Sequence, residues 1–279
     1  MPGTNARAME KARDLPTDGL IFDLEDSVAP NAKEGARAQI AAALERGGYG
    51  RRECLLRVNG PGTPWHEDDL RFGAALSIDG VVLPKVEGAR DVAASGAVLG
   101  AARAPAGLSL WCMMETPRAF LHAEAIAGAS DRLAGFIIGT EDLAKDLGAR
   151  ARPDRLPFIA SLGIALLAAR SFGLAALDAV YPDFNDDEGF AAQCRQGRDL
   201  GFDGKTVIHP RQIAIANTLF APEPREIEAA RRLIAAFDAA QTAGQGIATL
   251  DGKMIERLHA DAARRLLALA AEIAAREAR

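Results

Sequence analysis

The segment Leu108–Met114 reads LSLWCMM, and the polar sequence Glu115-Thr116-Pro117-Arg118 follows it directly. The run is apolar at nearly every position, which is typical of a parallel strand that is buried on both faces. Glu115 therefore stands at the point where a buried strand ends. The same unit, a short apolar run that ends in a polar residue, recurs along most of the chain.

Seven such runs are present, and a helical pattern follows each of them. Repeated alternation of strand and helix indicates a parallel α/β fold. An open doubly wound sheet usually begins with a glycine-rich phosphate turn, but the chain contains neither GxGxxG nor a P-loop. We therefore predict a (β/α)8 TIM barrel, although one of its eight strands is missing from the count. The predicted strands are Gly19–Leu24, Cys54–Val58, Gly80–Pro84, Leu108–Met114, Gly135–Gly139, Ala176–Tyr181 and Lys205–Ile208.

The pattern changes after Ile208, where longer helical stretches replace the short alternating units. We predict a barrel domain over residues 1–221 and a helical extension over residues 222–279. This extension is too long for one more barrel helix, so we expect it to pack on a neighbouring subunit. Its parts are a charged amphipathic helix from Pro222 to Gln241, a hinge at Gly244 and Gly246, the motif Leu250-Asp251-Gly252-Lys253-Met254, and a long helix to Arg279.

Composition excludes several classes of partner. A formal net charge of −5 gives no general attraction to nucleic acid or to an anionic membrane. No apolar run is long enough to span a bilayer. Cys54, Cys112 and Cys194 are scattered in apolar stretches, so we predict buried free thiols and a reducing, cytoplasmic environment.

Polar side chains collect at the predicted strand ends, where barrel enzymes carry their reactive groups. Burying so much charge is costly unless a metal ion or a ligand compensates it. Oxygen donors with few histidines favour Mg²⁺, with Mn²⁺ as a substitute, over zinc. Glu115 and Asp142 end successive strands and could meet, while Arg57 could hold a carboxylate or carbonyl oxygen by a two-pronged hydrogen bond. The strand-end residues are Asp23, Glu25, Asp26, Arg57, Asn59, Lys85, Glu87, Glu115, Glu141, Asp142, Asp183 and His209.

The ordered set of motifs resembles the CitE-like, or HpcH/HpaI aldolase/citrate lyase β, family. The resemblance extends from the first residues to about Met254, and the order of the motifs carries it. They are Pro2-Gly3-Thr4-Asn5, Asp23-Leu24-Glu25-Asp26, Arg57-Val58-Asn59, Pro84-Lys85-Val86-Glu87, Glu115-Thr116-Pro117-Arg118, Gly139-Thr140-Glu141-Asp142, Gly201-Phe202-Asp203-Gly204-Lys205, Ile208-His209-Pro210 and Leu250-Asp251-Gly252-Lys253-Met254.

This resemblance implies a Mg²⁺ site at Glu115 and Asp142, with Arg57 on the acyl or keto-acid part of the substrate. It also implies that Asp251 reaches a neighbouring subunit's active site as the catalytic acid/base, in a homotrimer or hexamer. In the family, a first barrel strand precedes the Pro-Gly at Pro2, which accounts for the count of seven.

The tail motif resembles that of malyl-CoA and citramalyl-CoA lyases. The predicted function is a Mg²⁺-dependent carbon–carbon lyase that cleaves or forms a β-hydroxyacyl-CoA, with an acyl-CoA and glyoxylate or pyruvate as the other partners. Arg57 would stabilise charge that develops on oxygen, and a carboxylate such as Asp251 would shuttle the proton. The further candidates are Glu25 and Asp26 for catalysis, Glu115, Glu141 and Asp142 for substrate binding, and Arg7, Lys11 and Lys33 for CoA.

Alternatives remain open at this stage. The same Mg²⁺ site could serve a malyl-CoA thioesterase, a citrate lyase β subunit that acts on an acyl-carrier protein, or a barrel without catalysis. Arg57 could be a structural ion-pair partner, and Asp251 could be a turn residue of an Asp-Gly hairpin. We expect His66 to be a solvated surface group.

Overall fold

A parallel sheet of seven strands forms the centre of the chain in the computed structural model, which describes residues 1–150 and 152–277. Strand order in the sheet equals strand order in the sequence, and each strand pairs in parallel with the next. The strands are β1 (Gly19–Asp23), β2 (Glu53–Arg57), β3 (Gly80–Leu83), β4 (Ser109–Met114), β5 (Leu133–Ile138), β6 (Ala175–Asp178) and β7 (Gly204–Lys205).

Helices connect these strands, as expected for parallel neighbours. The α-helices of the strand-containing part are α1 (Ala6–Lys11), α2 (Lys33–Arg46), α3 (His66–Ala75), α4 (Ala89–Ala101), α5 (Pro117–Leu121), α6 (Ala123–Ala127), α7 (Thr140–Leu147), α8 (Ile159–Ser171), α9 (Asp187–Leu200) and α10 (Arg211–Phe220). The predicted α/β barrel architecture is thereby confirmed, and all seven predicted strands are found.

The last two strands are shorter than predicted. β6 ends at Asp178 and β7 comprises only Gly204 and Lys205. Thr206 follows β7, and both its backbone N–H and its hydroxyl donate to Asp178 O at 3.0 Å.

Both faces of the sheet are covered by apolar side chains. One face carries a cluster of Leu55, Val82, Trp111 and Ile137. The alternate positions, such as Leu56 and Leu110, are completely buried as well. Polar side chains are therefore confined to the strand ends, which is where the candidate site lies.

The first residues run beside the edge of the sheet. Pro2 forms a parallel bridge with Asp23, and Gly3 N donates to Asp23 O at 2.8 Å. This segment thus continues the sheet for one position beyond β1. Within residues 1–150 and 152–277, no ladder joins β7 to β1.

The chain divides into two compact units, the first being Met1–Ala216 and the second beginning at Asn217. The second unit contains α11 (Pro224–Thr242), the antiparallel hairpin β8 (Ala248–Leu250) and β9 (Lys253–Ile255), and α12 (Arg257–Glu277). Its core is built from alanine and larger apolar residues, among them Phe237, Ala248 and Ile255. The predicted helix from Pro222 to Gln241 is found as α11. The predicted end of the last helix at Arg279 lies outside the described residues.

Two further expectations can be compared with the structure. Cys54, Cys112 and Cys194 are buried free thiols, as predicted. None of the described helices combines the length and apolar character that crossing a bilayer requires.

Candidate functional site

The carboxyl ends of β1 to β5 bring together most of the predicted site residues. Asp23 and Arg57 are the last residues of β1 and β2 and are direct neighbours in the register. Glu115 follows β4 immediately, and Asp142 lies in the first turn of α7 after β5. The parallel arrangement places all of these side chains at one end of the sheet.

Asp23 and Arg57 form a two-pronged ion pair at this end. Arg57 Nε and Nη2 donate to the two oxygens of Asp23, each at 2.6 Å. Burial raises the pKa of Asp23, but the hydrogen bonds and charge of Arg57 outweigh it and hold that pKa at about 2. The remaining nitrogen, Arg57 Nη1, lies 3.1 Å from Glu25 Oε2.

The role of Arg57 at the substrate stays a prediction, and the structure shows which edge of its guanidinium is already occupied. The two-pronged contact exists, but its acceptor is Asp23 of the same chain, as in the alternative of a structural ion pair. Only the Nη1 edge of Arg57 remains for another oxygen.

Lys85 lies at the centre of the cluster, although the sequence analysis noted it only as a strand-end residue. Its ammonium donates to Glu25 Oε1 at 2.8 Å, to Asp26 Oδ2 at 2.9 Å and to Asp142 Oδ2 at 3.3 Å. Burial lowers the pKa of Lys85, but the hydrogen bonds to Glu25 and Asp26 outweigh it, so that the pKa lies above its usual value. The signal in the sequence was a lysine directly after a buried strand, among acidic strand ends.

Glu115 is the most deeply buried carboxylate of the cluster, with 2% of the residue exposed. Its Oε1 accepts the backbone N–H of Lys85 at 2.7 Å. Burial is the main cause that raises the pKa of Glu115 to about 7, and the charges of Glu25 and Asp142 raise it further. A cation beside Glu115 would offset the cost of burying its negative charge.

Gly139 makes room for Glu115. A Cβ atom on Gly139 would lie 2.6 Å from both Glu115 Cβ and Glu115 Oε2, which is too close for any real contact. Only glycine therefore allows the end of β5 to approach the carboxylate so closely.

The donors present fit Mg²⁺. Glu115 and Asp142 supply hard oxygen ligands, and Mg²⁺ commonly takes one or two carboxylates together with water and substrate oxygens. Glu25 Oε2 is buried and accepts no hydrogen bond, although Arg57 Nη1 lies 3.1 Å away, so one carboxylate oxygen of the cluster has no hydrogen-bond donor. No group of three or more His, Cys, Asp or Glu among the described residues forms a closed cage for a metal. The set therefore suits an open Mg²⁺ site and not a structural zinc site.

The other predicted substrate contacts lie outside this cluster. Arg7 and Lys11 are exposed on α1, and Glu141 is exposed beside Asp142. Lys33 is not available to CoA, which corrects the expectation. It is 6% exposed, and its ammonium donates to Leu24 O at 2.8 Å and to Glu25 O at 3.0 Å.

Comparison with known proteins shows to which family the chain belongs. The family model for HpcH/HpaI aldolase/citrate lyase matches residues 1–210. The chain belongs to this family.

Relatives and solved structures match the family member over nearly its full length. A (3S)-malyl-CoA thioesterase of Cereibacter sphaeroides is 50% identical over 275 residues, which are 99% of this chain and 94% of the relative. The citrate lyase subunit beta of Escherichia coli is 36% identical, covering 97% of this chain and 91% of that protein. The CitE protein of Mycobacterium tuberculosis in complex with magnesium, acetoacetate and coenzyme A matches with a TM-score of 0.79 and 30% identity, over 97% of this chain and 96% of that one. The structural neighbours of this family member thus include a protein solved with magnesium.

Asp251 lies in the hairpin of the second unit. It occupies the turn between β8 and β9 with φ 49°, and Gly252 follows with φ 74°. This is the Asp-Gly hairpin of the alternative interpretation. Both carboxylate oxygens of Asp251 accept from Arg232 Nη2 at 2.8 Å, and its side chain is 64% exposed. Contact with a neighbouring subunit stays a prediction.

The sequence analysis missed a second ionic cluster at the ends of β6 and β7. Asp178 Oδ1 accepts from Arg155 Nη1 at 2.6 Å, and Asp178 Oδ2 lies 3.4 Å from Lys205 Nζ. All three side chains are almost completely buried. Burial lowers the pKa of Lys205. Because the strand was predicted to continue to Tyr181, Asp178 was not recognised as a strand-end residue.

His66 is also placed differently from the expectation. It is 8% exposed, with Nδ1 2.7 Å from Asn59 O and Nε2 3.1 Å from Ser95 Oγ. The interpretation of His66 as a solvated surface group is wrong, because α3 begins beneath the end of β2.

Proposed function

We propose that this family member is a Mg²⁺-dependent enzyme that acts on malyl-CoA or a closely related β-hydroxyacyl-CoA, and that it hydrolyses the thioester. The observation that carries the proposal is the buried Glu115 beside Asp142, whose charge calls for a hard cation. The (3S)-malyl-CoA thioesterase relatives, at 50% identity over 99% of the chain, favour hydrolysis over the carbon–carbon cleavage placed first in the sequence analysis.

Glu115 and Asp142 would hold the metal in this proposal. A bound Mg²⁺ would supply positive charge next to the carboxylate and hydroxyl oxygens of the malyl group. Mn²⁺ would serve in its place.

The surrounding side chains would orient the substrate. Arg57 would use its Nη1 edge, since Nε and Nη2 hold Asp23. Glu25 and Asp26 would hold the ammonium of Lys85 at the rim. Glu141 lies beside the site on α7 and would contact the polar part of the substrate. Each of these roles uses a group whose position at the strand ends is described above.

We further propose that Arg7 and Lys11 attract the phosphates of CoA, because both are exposed cations on α1. Asp251 would act as the acid/base in the site of a neighbouring subunit, in a cytoplasmic homotrimer or hexamer. This role requires its carboxylate to leave Arg232. Light scattering on the purified protein measures the oligomeric state, and a monomer would contradict the role of Asp251.

Carbon–carbon cleavage is the second candidate. Citrate lyase subunit beta of Escherichia coli is 36% identical to this chain, and a solved structure of the Mycobacterium tuberculosis citrate lyase beta subunit contains oxaloacetate and magnesium. The same metal site could polarise the hydroxyl oxygen and leave the thioester intact.

The products of malyl-CoA separate the two reactions. Hydrolysis releases malate and one free thiol per turnover, whereas cleavage releases glyoxylate and acetyl-CoA without a free thiol. We would follow thiol release with a chromogenic disulfide and glyoxylate with a hydrazine reagent, in MgCl₂ and in EDTA. Thiol release that depends on Mg²⁺ supports the thioesterase, and glyoxylate without thiol supports the lyase.

Variants of the metal residues complete the test. Glu115→Gln and Asp142→Asn should abolish Mg²⁺-dependent turnover, while the exposed acids Glu45→Gln and Asp131→Asn provide matched controls. Wild-type rates in Glu115→Gln or Asp142→Asn would overturn the proposed metal site. Failure of the wild-type protein to turn over malyl-CoA by either route would overturn the proposed substrate.

A further inference from the structure

The ammonium of Lys85 lies at different distances from the carboxylates around it. It contacts Glu25 at 2.8 Å and Asp26 at 2.9 Å, and it lies farther from Asp142, at 3.3 Å. Glu115 is bound by the backbone N–H of Lys85 and not by the ammonium. The two shorter ammonium contacts therefore belong to Glu25 and Asp26, whereas the ammonium holds Asp142 more loosely and does not hold Glu115.

The backbone fixes Lys85 in this position. Its φ of 53° lies in the left-handed region, which is uncommon for a residue with a Cβ. The hydrogen bond from its N–H to the buried Glu115 holds this conformation in place. The side chain thus starts from a defined point between β3 and the neighbouring strand ends.

Charge at this end of the sheet is unevenly balanced. Five carboxylates face two cations here: Arg57 pairs with Asp23 and lies 3.1 Å from Glu25, and the ammonium of Lys85 contacts Glu25, Asp26 and Asp142. A divalent cation adds two positive charges to this set. Lys85 holds Glu25 Oε1, while Glu25 Oε2 faces Arg57 without accepting a hydrogen bond, so Glu25 could act as an additional ligand through Oε1 if Lys85 did not hold it.

We propose that Lys85, by its ion pairs with Glu25 and Asp26, prevents these two carboxylates from binding the metal ion. Only Glu115 and Asp142 then act as protein ligands, and the site is selective for Mg²⁺ over Ca²⁺. The inference rests on the proposed function, since it takes Glu115 and Asp142 as the metal ligands. Mg²⁺ accepts one or two carboxylates and keeps several waters, whereas Ca²⁺ takes six to eight oxygens and tolerates crowded, bidentate carboxylates. Without the ammonium of Lys85, up to four carboxylates could bind the metal ion, and a set of that size suits Ca²⁺.

Calorimetric titration of the full-length, EDTA-stripped protein with MgCl₂ and with CaCl₂ tests this proposal. Lys85→Met should bind both ions more tightly, because one positive charge is lost, and should improve the affinity for Ca²⁺ relative to Mg²⁺ by about tenfold or more. Lys145→Met removes the same charge from an exposed position in the last turn of α7 and should leave the ratio unchanged. An unchanged ratio in Lys85→Met would overturn the proposal.

A second pair of variants keeps the proposal testable if Lys85→Met does not fold. With Lys85 present, Asp26→Asn should change the Mg²⁺ affinity by less than about threefold, whereas Asp142→Asn should weaken it by about tenfold or more. An equal loss of Mg²⁺ affinity in Asp26→Asn and Asp142→Asn would overturn the proposal that Asp142 binds the metal and Asp26 does not.

Failure of the proposed function gives a different result. A wild-type protein that binds no Mg²⁺, or binds it equally well as Glu115→Gln, removes both proposals. Mg²⁺ binding that requires Glu115, together with an unchanged ion ratio in Lys85→Met, removes only the role of Lys85.

Discussion

Replacing Arg57 by methionine should destabilise the first unit strongly at neutral pH, because it leaves Asp23 buried without its partner. The side chain of Asp23 is 5% exposed and that of Arg57 is 22% exposed, so solvent screens the pair only weakly. Methionine fills a similar volume and carries no charge. The variant thus isolates the electrostatic contribution of the guanidinium.

The magnitude follows from the pKa of Asp23. Folding lowers it from 3.8 to about 2, a difference of nearly two units, and each unit corresponds to about 1.4 kcal/mol. Asp23 therefore contributes about 2.5 kcal/mol at pH 7. A depressed carboxyl pKa gives stability that is present above pH 3.8 and is lost as the pH falls through about 2. Removing one partner of a buried pair costs about 3–5 kcal/mol, and we expect the lower end because Ser27 and Glu25 N still donate to Asp23.

Tryptophan fluorescence during urea unfolding measures this effect in the first unit alone, because Trp65 and Trp111 are the only tryptophans of the chain and both lie there. Arg57→Met should lose about 3 kcal/mol at pH 7, and the double variant with Asp23→Asn should recover at least half of the loss. The exposed Arg90→Met is the control and should stay within about 0.5 kcal/mol of wild type. A loss below about 1 kcal/mol at pH 7, or a double variant as unstable as the single one, would refute the reasoning.

Three further perturbations test the neighbouring contacts. Gly139→Ala should lower the free energy of unfolding in urea by about 1–3 kcal/mol, because the added Cβ would overlap Glu115. The same variant should weaken Mg²⁺ binding in calorimetry. Unchanged binding would contradict the close approach of Gly139 to Glu115. Because burial raises the pKa of Glu115 to about 7, the metal-free wild type should lose stability as the pH rises from 4.5 through 7. Glu115→Gln should therefore melt higher than wild type at pH 8 in EDTA and similarly at pH 5, and a lower melting temperature at pH 8 would count against this. Asp178→Asn should cost about 3 kcal/mol or more in urea unfolding, since two buried cations lose their carboxylate, and a loss under about 1 kcal/mol would mean that water reaches the cluster.

The sequence predicted the fold well because buried parallel strands leave a clear pattern. Each strand is a short apolar run, and the polar residues at its end mark one side of the sheet. The pattern located Glu115 and Asp142 at neighbouring strand ends for the same reason. It could not supply the backbone conformation that aims the side chain of Lys85, since a left-handed residue other than glycine has no periodic signal.

The sequence did not predict side-chain contacts that depend on distant parts of the chain. Arg57 pairs with Asp23 because the register of β1 and β2 makes them direct neighbours, and periodicity alone does not fix register. Lys33 was expected to be accessible because it lies in an early helix turn, and His66 because it lies in a helical pattern without an evident partner. Backbone oxygens at the ends of β1 and β2 bind both side chains and bury them.

The match between strand order and chain order has a consequence for how the protein is made. Every ladder of the seven-stranded sheet joins strands that are consecutive in the sequence, so each new strand leaving the ribosome finds its partner already synthesised. Such near-neighbour pairing keeps the sequence separation between paired strands as small as parallel strands with connecting helices allow. The sheet can thus grow during translation from its amino-terminal edge, one strand–helix unit at a time, and the carboxylates of the site come together only once the fifth strand has docked.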